Sequence, residues 1–579
     1  MRKVLKALLP VIKRAILSGR LFTGKAELLA PLEDILPEWD VEVPVSDGSK
    51  ILMNVFKSRK ALAENKPLPV IMCAHPYDNH LVPALGKTPF NGVPQQYRLI
   101  DQVGKPTFST LTSWESPDPN FWVSNGYIVV NMNMPGFGGS TGEASTFDRN
   151  QSRAYYEVIE WIAEQDWCDG NIGLNGVSFL AITQYHVAAC RDYGNKAPNA
   201  LKCISPWEGI TDMYRDLANL GGIPQEGFPA FWWETEVKPA MTSNPQSFID
   251  KQGGTPSEWI INHPFFDTFW EEKRAPVENI DIPILTCVSF SDVGLHSNGS
   301  FRSFMDVKSK DKWMYTHRDG KWDVYYSQEV QALTLTFMDY YLKGKKENGW
   351  AQTPRVRLEV RSGRDTIHEV RGEDEWPLAR TRYKKYFLSQ DHVLLENQKP
   401  SKTEIAYHGK KGIKTFRHTF HDDTELTGHA KLKLWMELKS SNGGQDDFHV
   451  YAVLNKYDQN GNRVPFYGTV GNKHDVITRG YMRASLRELD PEKSTEAIPH
   501  QLFKSYQKIK PAEIVCLEIP FPPTSVFFHK GESLELVVAS YEIFQNAPMV
   551  KDNSLNQGGE HIIHIGGAYD SFLQLPIIP

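Results

Sequence analysis

The sequence predicts an α/β domain with a central parallel sheet, followed by a second domain built almost entirely of β-strands. Three observations support this fold class. Short apolar runs alternate with helical patterns between residues 69 and 204, an aromatic-rich stretch broken by Pro and Gly occupies residues 206–277, and the helical signal nearly disappears after residue 352. Strands that alternate with helices build a parallel sheet covered on both faces, whereas closely spaced short strands build a sandwich or barrel.

The first part of the α/β domain begins with a predicted β-hairpin. Apolar residues alternate on both sides of Asp47-Gly48, a dipeptide typical of tight turns between strands. Farther along, continuous apolar runs predict buried strands, and apolar residues spaced by three or four predict helices. These elements are strands at 69–74, 126–131, 171–175 and 200–204, and helices at 151–165 and 180–190.

The aromatic-rich stretch interrupts this alternation, and we interpret residues 206–280 as a helical cap inserted over the sheet. Its Pro and Gly residues divide it into short helices. The α/β pattern then resumes with predicted strands at 282–290 and 313–316. A helix follows with Ser327 as its N-cap and ends at Lys343-Gly344.

The remaining residues predict a jelly roll. Strands are indicated at 356–360, 432–438, 449–454 and 534–538, with Gly and Pro turns between them. A chain of 579 residues is also too long for one compact core. We therefore divide it into an N-terminal amphipathic segment (1–39), an α/β domain in two parts (40–205 and 281–351), the cap (206–280) and a β jelly-roll domain (352–579).

Composition limits the classes of partner and compartment. A net charge of −6 gives no support for nucleic-acid binding. Six cysteines without a CxxC pair predict buried thiols, which are compatible with a reducing compartment. Basic and apolar residues in 1–22 predict an amphipathic surface helix, with an organelle-targeting peptide or membrane-surface contact as the alternative. No apolar run is long enough to span a bilayer. We expect a cytoplasmic protein without stable membrane insertion.

A nucleophilic serine is predicted at Ser178. The turn Gly176-Val-Ser178 joins a strand to an apolar helix, and this is where an α/β-hydrolase exposes its serine. The literal motif G-x-S-x-G surrounds Ser140 instead, but no strong apolar helix follows it. We interpret residues 136–142 as a flexible loop beside the site. The alternative for Ser178 is a helix-capping role.

The acid and the base should follow the serine in the order Ser, acid, His, at the ends of later strands. Asp292 is the first carboxylate after the strand at 282–290, and His317 directly follows the strand at 313–316. The predicted triad is therefore Ser178, Asp292 and His317. His296 is a rival base, but it lies too close to Asp292 in sequence to be placed by a separate strand. His263, in the aromatic cap, is a weaker rival.

Several motifs together carry a family resemblance. Residues 161–181 contain Trp-Ile, Gln-Asp-Trp and Asp-Gly-Asn-Ile-Gly before the serine turn, and other matching segments lie at 75–77, 136–142, 294–296, 519–524 and 566–571. With these motifs the sequence resembles the X-Pro dipeptidyl-peptidase and cocaine-esterase-like (CocE/NonD) serine hydrolases over about residues 40–579. The resemblance implies an α/β-hydrolase domain with an inserted helical cap, followed by an all-β jelly-roll C-terminal domain. The sequence departs from the family's usual Tyr and Gly at Phe179 and Ala181, and from its Pro-Trp-x-His before the base.

An oxyanion hole and a substrate pocket are also predicted. The residue after the nucleophile donates its backbone N–H to the oxyanion, which is Phe179 here, and the resemblance implies the hydroxyl of Tyr77 as the second donor. The aromatic cap predicts an apolar or aromatic substrate group. Glu208 could bind a substrate amine, with a solvated loop glutamate as the alternative. The substrate-binding candidates are Trp207, Glu208, Phe231, Trp232 and Trp233.

Three functions are compatible with the sequence. The first is a serine hydrolase that cleaves an ester or amide of a small to medium acyl substrate through an acyl-enzyme intermediate, without a metal or organic cofactor. The second is an X-Pro dipeptidyl aminopeptidase, which would require a free substrate amine. The third is a non-catalytic binding protein that uses its jelly roll. The N-terminal helix is also a candidate for homo-oligomer formation.

Overall fold

The computed structural model describes residues 26–83, 104–396, 400–440, 444–468, 472–543 and 554–579. Most of the predicted N-terminal amphipathic segment, residues 1–25, lies outside the described residues. Within the described ranges, no helix is long and apolar enough to cross a membrane.

The α/β part of the chain contains fourteen described strands and eleven described α-helices. The strands are β1 (Glu27–Leu29), β2 (Ile35–Pro44), β3 (Lys50–Ser58), β4 (Leu68–His75), β5 (Thr107–Ser109), β6 (Ile128–Asn133), β7 (Cys168–Val177), β8 (Leu201–Trp207), β9 (Asn219–Leu220), β10 (Ile223–Pro224), β11 (Ile284–Ser289), β12 (Lys312–His317), β13 (Val356–Arg361) and β14 (Ile367–Glu373). The helices are α1 (Arg59–Ala63), α2 (Pro119–Ser124), α3 (Arg149–Ala163), α4 (Phe179–Ala188), α5 (Gly227–Trp232), α6 (Pro245–Gln252), α7 (Pro256–Asn262), α8 (Thr268–Lys273), α9 (Ser297–Asp306), α10 (Lys321–Tyr325) and α11 (Gln328–Leu342).

The central sheet has the strand order β2-β3-β6-β4-β7-β8-β11-β12-β13-β14. Pairing is parallel from β6 to β13 and antiparallel at both edges. Strand β4 is buried along its whole length, and its successive side chains enter different cores. Met72 packs in the cluster that contains residues of α3 and α4, whereas Ile71 packs in the cluster that contains residues of α2 and α11. Helices therefore cover both faces, and the predicted α/β-hydrolase fold is confirmed.

One strand lies at the junction between the two domains. We assigned the strand at 356–360 to the C-terminal domain, but β13 pairs in parallel with β12 and extends the hydrolase sheet. A single bridge between Arg361 and Val526 then connects β13 to the C-terminal strands. Arg361 is buried here and donates to the Thr524 hydroxyl at 2.6 Å. The strand belongs to the α/β sheet because parallel pairing with β12 satisfies its backbone hydrogen bonds.

The cap predicted at 206–280 consists of short elements, as expected from its Pro and Gly content. It contains α5 to α8 and two π-helical turns at Tyr214–Ala218 and Trp233–Val237. Asparagine, threonine and aspartate side chains cap α6, α7 and α8. Such N-caps satisfy the free N–H groups that a short helix has in high proportion.

The C-terminal domain is all-β, as predicted. Two sheets enclose one apolar core, one with the order β18-β28-β21-β25 and the other built around the long strand β20 and its partners β26, β29 and β30. The strands are β15 (Arg382–Leu388), β16 (Leu394–Glu396), β17 (Thr403–His408), β18 (Ile413–Thr419), β19 (Thr424–Gly428), β20 (Lys431–Ser440), β21 (His449–Tyr457), β22 (Arg463–Val464), β23 (Phe466–Gly468), β24 (Asn472–Asp475), β25 (Thr478–Arg483), β26 (Ile514–Pro520), β27 (Thr524–Phe528), β28 (Ser533–Ala539), β29 (Gly559–Ile565) and β30 (Phe572–Ile578).

Candidate active site

Ser178 lies on a strained turn between β7 and α4. Its backbone has φ 60° and ψ −116°, a conformation that costs energy in a residue with a side chain. The Ser178 N–H donates to the carbonyl of Trp207 at 2.9 Å, which ties the turn to the neighbouring strand β8. Gly176 is required at its position, since a Cβ there would lie 2.6 Å from the Cβ of Leu180. The chain therefore builds the sharp strand-to-helix turn that exposes a nucleophile.

The structure also explains why Ala181 can replace the family's usual glycine in this turn. A Cβ placed on Gly209 would lie 3.0 Å from the Cβ of Ala181 and 2.9 Å from the Tyr185 ring. Gly209, in the segment after β8, thus leaves the space that the Ala181 methyl group uses. The helix can carry a methyl group at this position because Gly209, on the facing backbone, has no side chain.

His296 connects Ser178 to Asp292. Its Nε2 lies 3.1 Å from the Ser178 Oγ, and its Nδ1 lies 2.5 Å from the Asp292 Oδ2. The backbone N–H groups of Leu295, His296 and Ser297 all donate to the carbonyl of Asp292. This turn at the start of α9 folds the imidazole back over the carboxylate, because side chains four residues apart lie on the same face of a helical turn.

The structure does not bring His317 to Ser178 as we predicted. His317 ends β12, and its Nε2 lies 3.0 Å from the Glu208 Oε1. It also lines a cavity of about 820 Å³ together with Arg318 and Glu359, and Ser178 is not among the described residues that line it. The prediction failed because it assumed that acid and base need separate strands, whereas one helical turn after β11 supplies both Asp292 and His296.

The environments of the two histidines favour different charges. Burial lowers the pKa of His296, the adjacent Lys321 ammonium lowers it further, and the carboxylates of Asp292 and Glu208 do not restore it. Burial also lowers the pKa of His317, but there the hydrogen bond and charge of Glu208 prevail and raise it above its ordinary value. A general base must be neutral to accept a proton, so His296 has the more suitable environment.

Lys321, the first residue of α10, completes the cluster around the acid. Its Nζ lies 2.8 Å from the Asp292 Oδ2, 2.9 Å from the His296 Nδ1 and 3.6 Å from the Glu208 Oε2. Burial raises the pKa of Asp292, but Lys321 and His296 outweigh it and hold the pKa below its ordinary value. Glu208, Asp292 and His296 are close enough together to share a metal ion. The lysine ammonium contacts all three groups, so we assign this cluster to an ion pair and not to a metal centre.

Tyr77 and Phe179 meet beside the serine. Tyr77 is buried after β4, and its ring lies 5.8 Å from that of Phe179. The Trp232 Nε1 donates to the Tyr77 hydroxyl oxygen at 3.0 Å. Burial, then the charges of Glu115 and Glu236, raises the pKa of Tyr77 well above its ordinary value. The phenol therefore keeps its proton, and this proton can be donated to a third group.

The loop that carries Tyr77 is fixed by His75. The Tyr77 N–H donates to the His75 Nδ1 at 3.2 Å, and the two rings stack at 5.7 Å. Burial lowers the pKa of His75 to about 3, so the ring is neutral and its Nδ1 can accept this bond. Phe179 is the first residue of α4, where backbone N–H groups have no acceptor within the helix.

The predicted substrate-binding residues lie in different places. Trp232 stacks on Phe179 at 5.9 Å and is near Phe147 at 5.7 Å, so it belongs to the site. Trp233 packs on Phe248 inside the cap. Phe231 is half-buried, and its carbonyl accepts a hydrogen bond from the Thr235 hydroxyl.

The other two predicted substrate-binding residues have structural contacts that differ from our expectation. Trp207 is buried against Tyr315 and Tyr325, and its role at the site is to accept the Ser178 N–H with its carbonyl. Glu208 is not a solvated loop residue. It is buried between His317 and Lys321, and these two side chains occupy the carboxylate that we considered for a substrate amine.

The two rival residues outside this cluster have structural roles. The Ser140 hydroxyl accepts from the Leu52 N–H at 2.9 Å and donates to the Asn133 carbonyl at 3.0 Å, so it secures the Gly-rich loop. His263 stacks on Phe269 and bonds to Asp267 at the start of α8. These contacts explain both side chains without a part in catalysis.

Two site residues were missed by the sequence analysis. Lys321 follows a turn-like Arg-Asp-Gly and looks like a solvated lysine, and Glu115 lies in a segment without helical or strand periodicity. In the structure Glu115 is buried with φ 62°, and its carbonyl accepts the Val177 N–H at 3.2 Å. Burial raises the pKa of Glu115 well above its ordinary value, against the pull of Lys321. Only long-range packing distinguishes these residues from surface charges.

Family models match the chain in two consecutive parts. Residues 47–322 match the X-Pro dipeptidyl-peptidase (S15 family) model, and residues 348–574 match the X-Pro dipeptidyl-peptidase C-terminal non-catalytic domain. The first range holds Ser178, Asp292 and His296, and the second holds the jelly roll. The predicted resemblance is thereby confirmed.

The chain is also similar to three known proteins. A crystal structure of a CocE/NonD family hydrolase from Staphylococcus aureus is 35% identical, with a TM-score of 0.85 and 94% of each chain covered. Cocaine esterase from Rhodococcus sp. (strain MB1 Bresler) is 24% identical over 400 residues, which are 60% of this chain and 62% of that protein. An α-amino acid ester hydrolase shares the fold, with a TM-score of 0.65, 14% identity and coverage of 96% and 98%. The serine turn, the two-domain architecture and the close structural match together show that the chain belongs to the CocE/NonD family of hydrolases.

Proposed function

We propose that this protein cleaves an ester or amide bond of a small to medium acyl substrate, with Ser178 as nucleophile, His296 as general base and Asp292 as its acid partner. The observation that carries this proposal is the continuous contact from the Ser178 Oγ through both nitrogens of His296 to Asp292. The strained turn at Ser178 supports it further, since strain of this kind is concentrated at functional sites.

In this mechanism, Ser178 attacks the acyl carbonyl while the His296 Nε2 removes its proton. Asp292 keeps the other ring proton on Nδ1 and stabilises the imidazolium that forms. His296 then donates its proton to the leaving group, which produces the acyl-enzyme. A water molecule activated by the same imidazole hydrolyses this intermediate and restores Ser178.

The oxyanion would be bound by the Phe179 N–H and the Tyr77 hydroxyl. Trp232 donates into the phenol oxygen, so the phenol proton remains available for the substrate. The cap residue thereby orients a catalytic donor that belongs to the α/β domain. Preorganised donors of this kind stabilise the charge that develops in the transition state.

We expect Tyr77→Phe to lower kcat by about 10²–10³-fold, the usual effect of removing one oxyanion donor. The ring and its packing on Phe179 are retained, so KM should change far less. Trp232→Phe is the companion variant, because it removes the N–H that orients the phenol and keeps an aromatic, though smaller, ring at this position. It should lower kcat by a smaller factor. Steady-state kinetics with an aryl ester measure both, and an unchanged kcat in Tyr77→Phe would remove Tyr77 from the oxyanion hole.

The aromatic cluster beside the serine favours an apolar or aromatic substrate group. Tyr77, Phe147, Phe179 and Trp232 contribute their rings to one cluster there. Such rings bury apolar groups well and orient them by their edges and faces.

An aminopeptidase that cleaves after X-Pro is the second candidate. The charge of Glu236 acts on the Tyr77 hydroxyl, so its carboxylate contributes a negative potential near the oxyanion donors. A substrate ammonium would be attracted to such a position. This candidate requires a free amine, whereas the first does not.

A substrate panel separates these candidates. We expect the protein to hydrolyse p-nitrophenyl acetate and butyrate, and to react with a fluorophosphonate probe at Ser178. Aminoacyl esters and X-Pro p-nitroanilides should be compared with and without a blocked amine, in the wild type and in Glu236→Gln. A strong preference for the free amine that Glu236→Gln weakens would favour the aminopeptidase. If the protein shows no turnover and no labelling, the remaining candidate is a non-catalytic binding protein.

A further inference from the structure

Lys321 is a buried cation for which the Ser–His–Asp mechanism has no role. Its side chain is only 12% exposed, and its Nζ lies 2.8 Å from the Asp292 Oδ2 and 2.9 Å from the His296 Nδ1. Burial lowers its pKa, but the carboxylates of Asp292, Glu208 and Glu115 outweigh this and raise the pKa above its ordinary value. The side chain is therefore a full positive charge in contact with both supporting members of the proposed triad.

This contact restricts where the protons of the cluster can lie. An ammonium has only donors, and His296 can accept the Ser178 proton through Nε2 only when its own proton is on Nδ1. If Lys321 donated to Nδ1, the ring proton would move to Nε2 and the base would be blocked. The Nζ–H groups must instead point to carboxylate oxygens.

Glu208 provides a second carboxylate at ion-pair distance from the ammonium. Its Oε2 lies 3.6 Å from the Lys321 Nζ, and its Oε1 is held by the His317 Nε2 at 3.0 Å. Lys321 thus lies between two carboxylates at the ends of β8 and β11. His317 has a function in this arrangement, since it holds the Glu208 carboxylate at ion-pair distance from the ammonium.

The charges around His296 come from several elements. Asp292 faces it from the same turn, Lys321 from α10 and Glu208 from the end of β8. Farther out, Glu115 acts on Lys321, and His317 is bonded to Glu208. Of these groups, Lys321 is the cation in direct contact with the imidazole. Its positive charge opposes protonation of the ring, which would place a second positive charge beside it.

We propose that Lys321 is a positioning residue that keeps His296 unprotonated, with its remaining proton on Nδ1, under mildly acidic conditions in which an isolated Asp–His pair would be protonated. This inference rests on the proposed Ser178–His296–Asp292 triad. In this inference, Glu208 and His317 position Lys321 and do not bind the substrate.

The test is the pH dependence of the reaction in Lys321→Met. Without the ammonium, His296 becomes more basic and stays protonated to higher pH. The acidic limb of kcat/KM should therefore move upward by on the order of one pH unit or more, with activity largely regained at alkaline pH. The rate constant for fluorophosphonate inactivation should show the same shift, and it does not depend on product release.

Three variants control this experiment. Lys321→Arg keeps the charge and should leave the acidic limb close to its wild-type position. Glu208→Gln removes a negative charge from the opposite side and should move the limb downward, which keeps the proposal testable if Lys321→Met does not fold. Lys431→Met removes a buried lysine paired with Glu518 in the jelly roll and should leave the limb unchanged.

The outcomes separate this inference from the proposed function. An upward shift in Lys321→Met with a downward shift in Glu208→Gln would support the positioning role. An acidic limb that stays in place in Lys321→Met, while Ser178→Ala is inactive, would overturn this role and leave the proposed triad intact. Full activity in Ser178→Ala would overturn the triad, and the inference with it.

Discussion

Ser178→Ala should lower kcat/KM for p-nitrophenyl butyrate by about 10⁴–10⁶-fold, the scale measured when a triad serine is removed. The substitution removes the attacking oxygen and leaves the rest of the site in place. It should also abolish labelling by a fluorophosphonate, which reacts with the activated hydroxyl. Stopped-flow or steady-state hydrolysis and mass spectrometry of the labelled peptide measure the two effects.

Ser140→Ala is the matched control for this experiment. Ser140 lies in the literal G-x-S-x-G motif, but its hydroxyl bonds to the backbone of Leu52 and Asn133. Its removal should cost about 1 kcal/mol of unfolding free energy and change kcat/KM less than about tenfold, well below the effect of losing a triad serine. Retained activity in Ser178→Ala, or loss of labelling only in Ser140→Ala, would contradict our choice of nucleophile.

His296→Gln should be as damaging as the loss of the serine, whereas His317→Gln should lose far less activity. Glutamine places an amide nitrogen near the position of a histidine Nε2, so it can preserve the single contact of His317 with Glu208. It cannot accept and return a proton, so it cannot replace a base that uses both ring nitrogens. We expect a loss of about 10⁴-fold or more for His296→Gln and of about tenfold or less for His317→Gln, since one factor of ten corresponds to ~1.4 kcal/mol.

The reciprocal result would reverse the assignment of the base. An inactive His317→Gln beside an active His296→Gln would return the base to His317, the residue that the sequence order favours. Thermal unfolding of both variants is the necessary control, because each histidine is buried against a carboxylate. Loss of activity in a variant with an unchanged unfolding transition can be attributed to chemistry.

The fold could be predicted largely from local patterns. The buried strand β4, the helix α11 after its Ser327 cap and the short elements of the cap each follow from apolar spacing and Pro or Gly content. The pairing of β13 with β12 could not be predicted, because the alternating pattern of β13 suits either domain. A strand's sequence defines its exposed and buried faces, but its partner is chosen by the whole chain.

The site could be predicted in part. Ser178 and Asp292 were chosen because each follows a buried strand, β7 and β11 respectively, and in the structure His296 connects the two side chains. Glu208 and His317 were also identified, but with roles that their contacts do not support. Local sequence does not reveal that a neighbouring buried cation compensates a carboxylate.

The sequence by itself therefore determined the order of elements, the strained serine turn and the family, because these depend on residues close together in the chain. Tertiary structure decided which histidine reaches the serine and what surrounds it. His296 contacts Ser178 across 118 residues, and Lys321 meets Asp292 across 29. The energies of such buried contacts depend on the distances and desolvation of groups that come together only when the sheet is assembled.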